Sequence, residues 1–271
     1  MQLCDTERMT TVLIAVVLYI AAATLLWRST ANGAGHHRAW IALAVVATLF
    51  HAETHVEAWQ LLRGPDMHFF AALSLVGLGM AALTTAVGAS GRMPALGIMV
   101  FPLAALSLLG YRYYGHAGNA SELGWRLLLH AWLALLAYAT LAIAALLAIL
   151  LWVQERALRR REFHRWLRAL PPLTELETLL FRTITVGFVL LGAVLLTGVL
   201  FVDDLLAQHL VHKTALSVLS WLAFGALLVG RWRFGWRGGT AVRWTLAATI
   251  LLLLAFFGSK FVLELVLQRS G

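Results

Sequence analysis

The sequence predicts an all-α fold: a polytopic membrane bundle of eight transmembrane helices. Three observations predict it. Apolar runs of about 20 residues recur along the chain, each long enough to cross a hydrocarbon layer of about 30 Å as a helix. Only 13% of the 271 residues are charged and the mean hydropathy is +0.82, whereas soluble domains carry roughly 25% charged residues. The 21 lysines and arginines cluster beside the apolar runs. That placement assigns the formal charge of +8 to membrane topology and excludes nucleic acid as a partner.

The predicted spans are about 9–28, 39–61, 67–89, 93–111, 125–153, 176–201, 210–230 and 242–267. They form a single transmembrane domain covering 1–271, with no internal repeat and no soluble domain. The N-terminal "MQLCDTERMT" carries Asp5 and Glu7 beside Arg8. It lacks the basic start of a cleaved signal peptide, so the first run is expected to be retained as a span. The connections are short except for residues 154–175, "QERALRRREFHRWLRALPPLTE". The start of this basic linker reads as a short interfacial helix, Pro171 and Pro172 break it, and Thr174 with Glu177 has capping-box spacing for the sixth span.

With the basic linker in the cytoplasm, 13 of the 21 lysines and arginines fall on the cytoplasmic side and six on the outer side. Arg182 and Lys260 lie within spans. Both termini are then expected on the outer, periplasmic side of a bacterial inner membrane. The single cysteine, Cys4, precedes the first span and excludes an internal disulfide or a cysteine-based metal site.

This topology sorts the ten histidines. His51, His55, His68, His116, His130, His209 and His212 fall outside or in the outer half, and His36, His37 and His164 on the cytoplasmic side. In "ATLFHAETHVEAWQ", residues 47–60, His51 and His55 are four apart. At about 100° per residue they lie some 40° apart on one helix face. Glu53 and Glu57 share a roughly opposite face. The histidine stripe is expected to face the bundle interior. Glu57 sits near the outer interface, whereas Glu53 is deeper and needs a partner or a proton. "HAETH" is not the zinc-protease H-E-x-x-H, because its glutamate is two residues after the first histidine and off the metal-binding face.

Neutral imidazoles facing one cavity suit a metal or a haem iron. The lack of cysteine and the few acidic groups disfavour thiolate and hard-cation sites. Haem b also needs an aromatic-lined slot, for which Trp59, Phe69, Trp125, Trp132 and Trp221 are candidates, and cations for its propionates, for which Lys260 and Arg126 are candidates. Plainer roles exist for several of these groups. A histidine at a span end, as His55, His68 or His209, serves as an interfacial polar group. Aromatic residues anchor helices at the interface, and Lys260 with Glu264 has ion-pair spacing. His51 and His130 lie inside spans, where those roles fit least.

From about Leu128 onward the segments "LLLHAWLALLAYATLAIAALLAILLWVQERALRRR", "LPPLTELETLLFRTITVGFVLLGAVLLTG", "HKTALSVLSWLAFGALLVGRWRFGWRG" and "LLAFFGSKFVLE" resemble the cytochrome c assembly family of membrane proteins. The short eight-span form is similar to its YpjD and HemX-like branch. The resemblance covers roughly the last 145 residues. It implies haem as cofactor, with His130 matching the histidine that opens the helix before the basic linker and His212 matching that of the short branch. The tryptophan-rich haem-presenting segment of the family's synthases corresponds to "FVDDLLAQHLVHKT", which contains no tryptophan. The reading is therefore a haem-binding or haem-handling protein, not itself a synthase. His130, His212 and His51 are the candidate iron ligands, with His55 an alternate and Trp221 and Lys260 around the haem. A partner membrane protein is expected. The alternative is a non-catalytic partner of an ion transporter or other complex, with structural or divalent-metal-binding histidines; a third reading is one subunit of a cytochrome synthase.

The topology makes a direct prediction: in intact spheroplasts a membrane-impermeant maleimide labels Cys4 from outside. Labelling that needs permeabilised membranes would reverse the orientation.

Overall fold

A computed structural model describes residues 2–32, 39–89, 94–115, 124–161, 171–201 and 208–261. Eight α-helices follow one another and no strand occurs among the described residues. They are α1 (Gln2–Asn32), α2 (Ala39–Leu62), α3 (Phe69–Ala89), α4 (Gly97–Tyr114), α5 (Trp125–Arg159), α6 (Leu173–Phe201), α7 (Gln208–Phe234) and α8 (Gly239–Leu253). Seven are long and apolar enough to cross a membrane. The eighth, α4, spans 18 residues and ends in Tyr111, Arg112, Tyr113 and Tyr114, which dilutes its apolar content. A short 3-10 turn, Pro94–Leu96, precedes it where the sequence predicts the start of a span. A π-helical turn, Leu254–Gly258, continues α8.

The chain separates into two compact units, one holding α1–α4 and the other α5–α8. In the first, α1 packs on α2 and α4, and α3 packs on α2 and α4. In the second, α5 packs on α6 and α8, and α7 on α6 and α8. Each unit is thus a closed ring of four helices, as short connections between antiparallel neighbours favour.

Helices in lipid associate by close packing and not by burial from water, so small residues gather where backbones approach. Ala71, Ala72 and Ala81 of α3 and Ala104 and Ala105 of α4 are buried at such a contact. Gly77 fits there because a Cβ would strike Ser107 and sit 3.4 Å from the Ala104 backbone. Aromatic rings fill the centre of the first unit: Trp40 and Tyr19 are buried against Phe101, and the Trp40 ring occupies the space beside Gly88. In the second unit Leu141, Leu147 and Leu151 of α5 are buried with Leu176, Leu180 and Ile184 of α6.

Two expectations about the basic linker change. Its first residues do not start a separate interfacial helix; Gln154–Arg159 continue α5, and the chain turns after it at Arg161, which has a positive φ of 56°. Residues 162–170 lie outside the described residues. The predicted capping box is also absent. Helix α6 starts at Leu173, its first amides bonding to the Pro172 carbonyl, so Thr174 is already inside it. Glu177 instead reaches the α7–α8 turn. Its Oε1 accepts the Gly238 amide at 2.8 Å and its Oε2 lies 3.8 Å from Arg231 Nη1. Gly238 has φ 55°, a conformation open to glycine, and precedes α8. A carboxylate next to a helix start and an arginine holds this turn in place.

Glu177→Ala removes the acceptor of the Gly238 amide and should destabilise the α5–α8 unit by about 1–3 kcal/mol, read as a lower thermal midpoint in detergent. Glu177→Gln keeps an acceptor oxygen and should lose less.

Candidate functional site: two histidine centres

The described residues place the predicted histidines in separate units: His51, His55 and His68 in the first, His130 and His212 in the second. His36, His37, His116 and His164 lie outside the described residues, as does the side chain of His209. No cluster of three or more histidine, cysteine, aspartate or glutamate side chains able to hold a metal ion occurs among the described residues.

In the first unit the helical stripe of α2 turns inward. His51 is fully buried, whereas Glu53 is exposed. Both ring nitrogens of His51 are engaged: Nδ1 lies 3.3 Å from the Tyr19 hydroxyl of α1 and Nε2 lies 2.9 Å from Ser74 Oγ of α3. His55 shares that serine, with Nε2 at 3.0 Å, and stacks on Tyr111 at 4.8 Å between centroids. A ligand role for His51 would require it to release one of its two bonds. Towards the Leu62 end of α2, Glu57 Oε2 lies 3.7 Å from Arg8 Nε, so α1 supplies a cation for the shallower glutamate.

In the second unit His130, one and a half turns into α5, borders a cleft of about 230 Å³. The cleft is lined mainly by Ala134, Tyr138, Val194, Val199, Val218 and Phe256, and Lys213 of α7 adds a cation. The protonation of His130 can be read from its neighbour. Thr197 Oγ1 donates its single proton to the α6 backbone, at 2.9 Å from the Ala193 carbonyl and 3.0 Å from that of Val194. The same oxygen lies 3.0 Å from His130 Nδ1. With that proton on the backbone the oxygen accepts from His130, an arrangement in which Nδ1 carries the ring proton and Nε2 keeps its lone pair. Tyr138 frames the cleft by donating to the Leu252 carbonyl at 2.6 Å. This contact adjoins the π-turn that carries Ala255 and Phe256 to the wall; such turns are frequent at functional sites.

The family model for cytochrome C assembly protein matches residues 12–267. The chain belongs to the cytochrome c assembly protein family. The match includes the first half, beyond the part from about Leu128 onward that carries the sequence resemblance. Among relatives, the chain is 31% identical to "Inner membrane protein YpjD" of Escherichia coli (strain K12) over 264 residues, covering 94% of this chain and 98% of that one. It is 32% identical over 243 residues to an "Uncharacterized 28.8 kDa protein in nifR3-like 5'region" of Azospirillum brasilense, 89% and 86% of the two chains. It is 27% identical over 134 residues to "Protein HemX" of Brevibacillus brevis, 49% of each. No solved structure matches the chain.

The other predicted haem neighbours of this family member fall as follows. His212 is exposed on the first turns of α7, next to Lys213, which does line the cleft. Trp221 packs against α6, stacked on Phe188 at 4.8 Å with its indole N–H 3.3 Å from the Phe188 carbonyl. Lys260 Nζ lies 5.6 Å over the ring of Phe256, whose other contacts include the cleft. Arg126 lies over Trp125 at 5.6 Å. Residues 202–207 of the segment "FVDDLLAQHLVHKT" lie outside the described residues. Sequence reasoning missed Thr197, Tyr138, Ser74 and Lys213. For Thr197, Tyr138 and Ser74 the available signal was a hydroxyl within an apolar span, though such hydroxyls also bond to their own helix backbone, as at Thr183 and Thr245.

Thr197→Val should release the His130 tautomer. Ring 15N resonances of His130 are expected to change from one Nδ1–H form to a mixture, and an unchanged spectrum would show that Thr197 does not set it.

Proposed function

We propose that this chain is a multi-pass inner-membrane haem-handling protein that binds haem b in the α5–α8 unit, with His130 Nε2 as its ligand to iron. The observation that carries this reading is the His130–Thr197 pair at an apolar cleft. A neutral imidazole, fixed in tautomer by a second group and facing an apolar wall, has the chemistry a haem iron takes from a protein. Lys213 fits a propionate, and Tyr138 and Phe256 fit the face of a macrocycle. His212, on the same helix as Lys213, is the candidate for a second axial ligand. The cleft of about 230 Å³ is smaller than the roughly 300–1,000 Å³ of most small-molecule pockets. It suits the iron-bearing centre and one edge of the macrocycle, with the remainder against lipid or a partner protein. Such partial enclosure favours a group that is passed on over one that stays.

Membership of a cytochrome c assembly family supports haem as the group. The name of the Escherichia coli relative supports the inner membrane as the location. The role is transfer or sensing of haem. Covalent attachment is not proposed, because the tryptophan-rich presenting segment has no counterpart in the sequence.

Purified protein titrated with haem should develop a Soret band that His130→Ala abolishes. Thr197→Val should weaken binding about 10–100-fold, the usual loss when a supporting partner of a metal ligand is removed. Haem binding that is absent, or that survives His130→Ala unchanged, would overturn the proposal.

A further inference from the structure

The α1–α4 unit holds a chain of polar groups that haem binding at His130 does not use. It runs from the fully buried Tyr19 through His51, Ser74 and His55. His55 then stacks on Tyr111, whose hydroxyl donates to Asp66 Oδ2 at 3.2 Å. Asp66 Oδ1 holds His68 Nδ1 at 2.5 Å and the His68 amide at 3.1 Å. Beside Asp66 lies a cavity of about 160 Å³ bordered by Arg8, Thr54, Glu57, Tyr111 and Arg112. At about 30 Å³ per molecule it has room for several waters, and its carboxylates, arginines and hydroxyls offer them partners beside apolar Leu61 and Leu62.

We propose that His51, Ser74 and His55 form a proton relay, loaded from this cavity. The geometry sets the mechanism. A serine hydroxyl carries one hydrogen, so Ser74 donates to one imidazole and accepts from the other. In one ordering His55 Nε2–H donates to Ser74, Ser74 donates to His51 Nε2, and His51 Nδ1–H donates to the Tyr19 oxygen. A proton arriving on His55 Nδ1 then moves charge inward. The His55 Nε2–H bond and the Ser74 O–H bond break; a new Ser74 O–H bond and a His51 Nε2–H bond form. The positive charge now sits on His51, with two protons moved along their hydrogen bonds, no heavy atom displaced and no proton lost. Nothing in simple helix association calls for this arrangement: one hydroxyl bond per histidine would satisfy each, whereas here one hydroxyl joins two.

The groups facing the relay come from every element of the unit. They are Arg8 and Tyr19 of α1, Thr48 and Glu57 of α2, Ser74 of α3, Tyr111 and Arg112 of α4, and Asp66 and His68 between α2 and α3. Asp66, 8% exposed, is the anion on the cavity side of the two imidazoles and sits where protons would enter.

The test is histidine-ring 15N NMR of the full chain in lipid nanodiscs, from about pH 4 to about pH 9, a range that brackets the ordinary imidazole value of about 6.5. The relay predicts that His51 and His55 respond together in one protonation step. Ser74→Ala should break that step so that the rings respond separately, and Ser74→Thr should restore it. In the wild type alone, a through-hydrogen-bond correlation linking both Nε2 atoms to the same hydroxyl proton gives a reading that does not depend on any variant folding. Rings that titrate independently whether or not Ser74 is present, or that do not titrate at all, would overturn the proposal and leave Ser74 as a structural tie. Haem titration of the same Ser74→Ala sample, which leaves His130 intact, reports on the other unit separately.

Discussion

Hydrocarbon offers no water to a polar side chain, so each imidazole placed at membrane depth must find its partner on another helix. This constraint organises both units. His51 and His55 meet Ser74 across the α2–α3 contact, and His130 meets Thr197 across the α5–α6 contact. The hydroxyls bring a second property. With its proton on its own helix backbone Thr197 accepts from His130, whereas Ser74 stands between two imidazoles and accepts from one while donating to the other. The same chemical group thus fixes a tautomer in one unit and leaves it exchangeable in the other.

That contrast is the basis of the two roles proposed for the two rings of helices. A metal ligand needs a lone pair that stays in place, and the α5–α8 unit supplies it at an apolar cleft next to Lys213. A proton carrier needs a hydroxyl that can accept on one side and donate on the other, and the proposed His51–Ser74–His55 relay has one within reach of a cavity that holds carboxylates. The acidic groups follow the same division. Asp66 and Glu57 border that cavity in the first unit, while Glu177 in the second is tied to the Gly238 turn.

Much of this was legible in the chain. Span positions followed from apolar run length, because a bilayer accepts only helices or closed barrels and the helix rise sets their length. The helix at the predicted fourth span, α4, is the one whose apolar content is diluted by an aromatic and basic end. The inward turn of His51 and the outward turn of Glu53 followed from the 100° step of a helix. The resemblance on residues from Leu128 onward pointed to the family that the match across 12–267 established. What was not legible was pairing between helices. Thr174 and Glu177 have capping-box spacing, yet Glu177 serves a turn some 60 residues away, because a nearby arginine and a free amide hold its carboxylate better than its own helix start. The stack of Trp221 of α7 on Phe188 of α6 likewise joins two helices and has no signal in local spacing.

The sequence by itself determined the class of molecule, the positions of its helices, the side of α2 that carries histidine and the kind of metal chemistry open to a chain with one cysteine. It did so because those features are local: they depend on run length, on the 3.6-residue period and on composition. The tertiary structure decided which hydroxyl meets which imidazole, and with it which nitrogen keeps its lone pair. That choice depends on residues 19 to 67 positions apart in the chain, brought together only when the helices close into their rings.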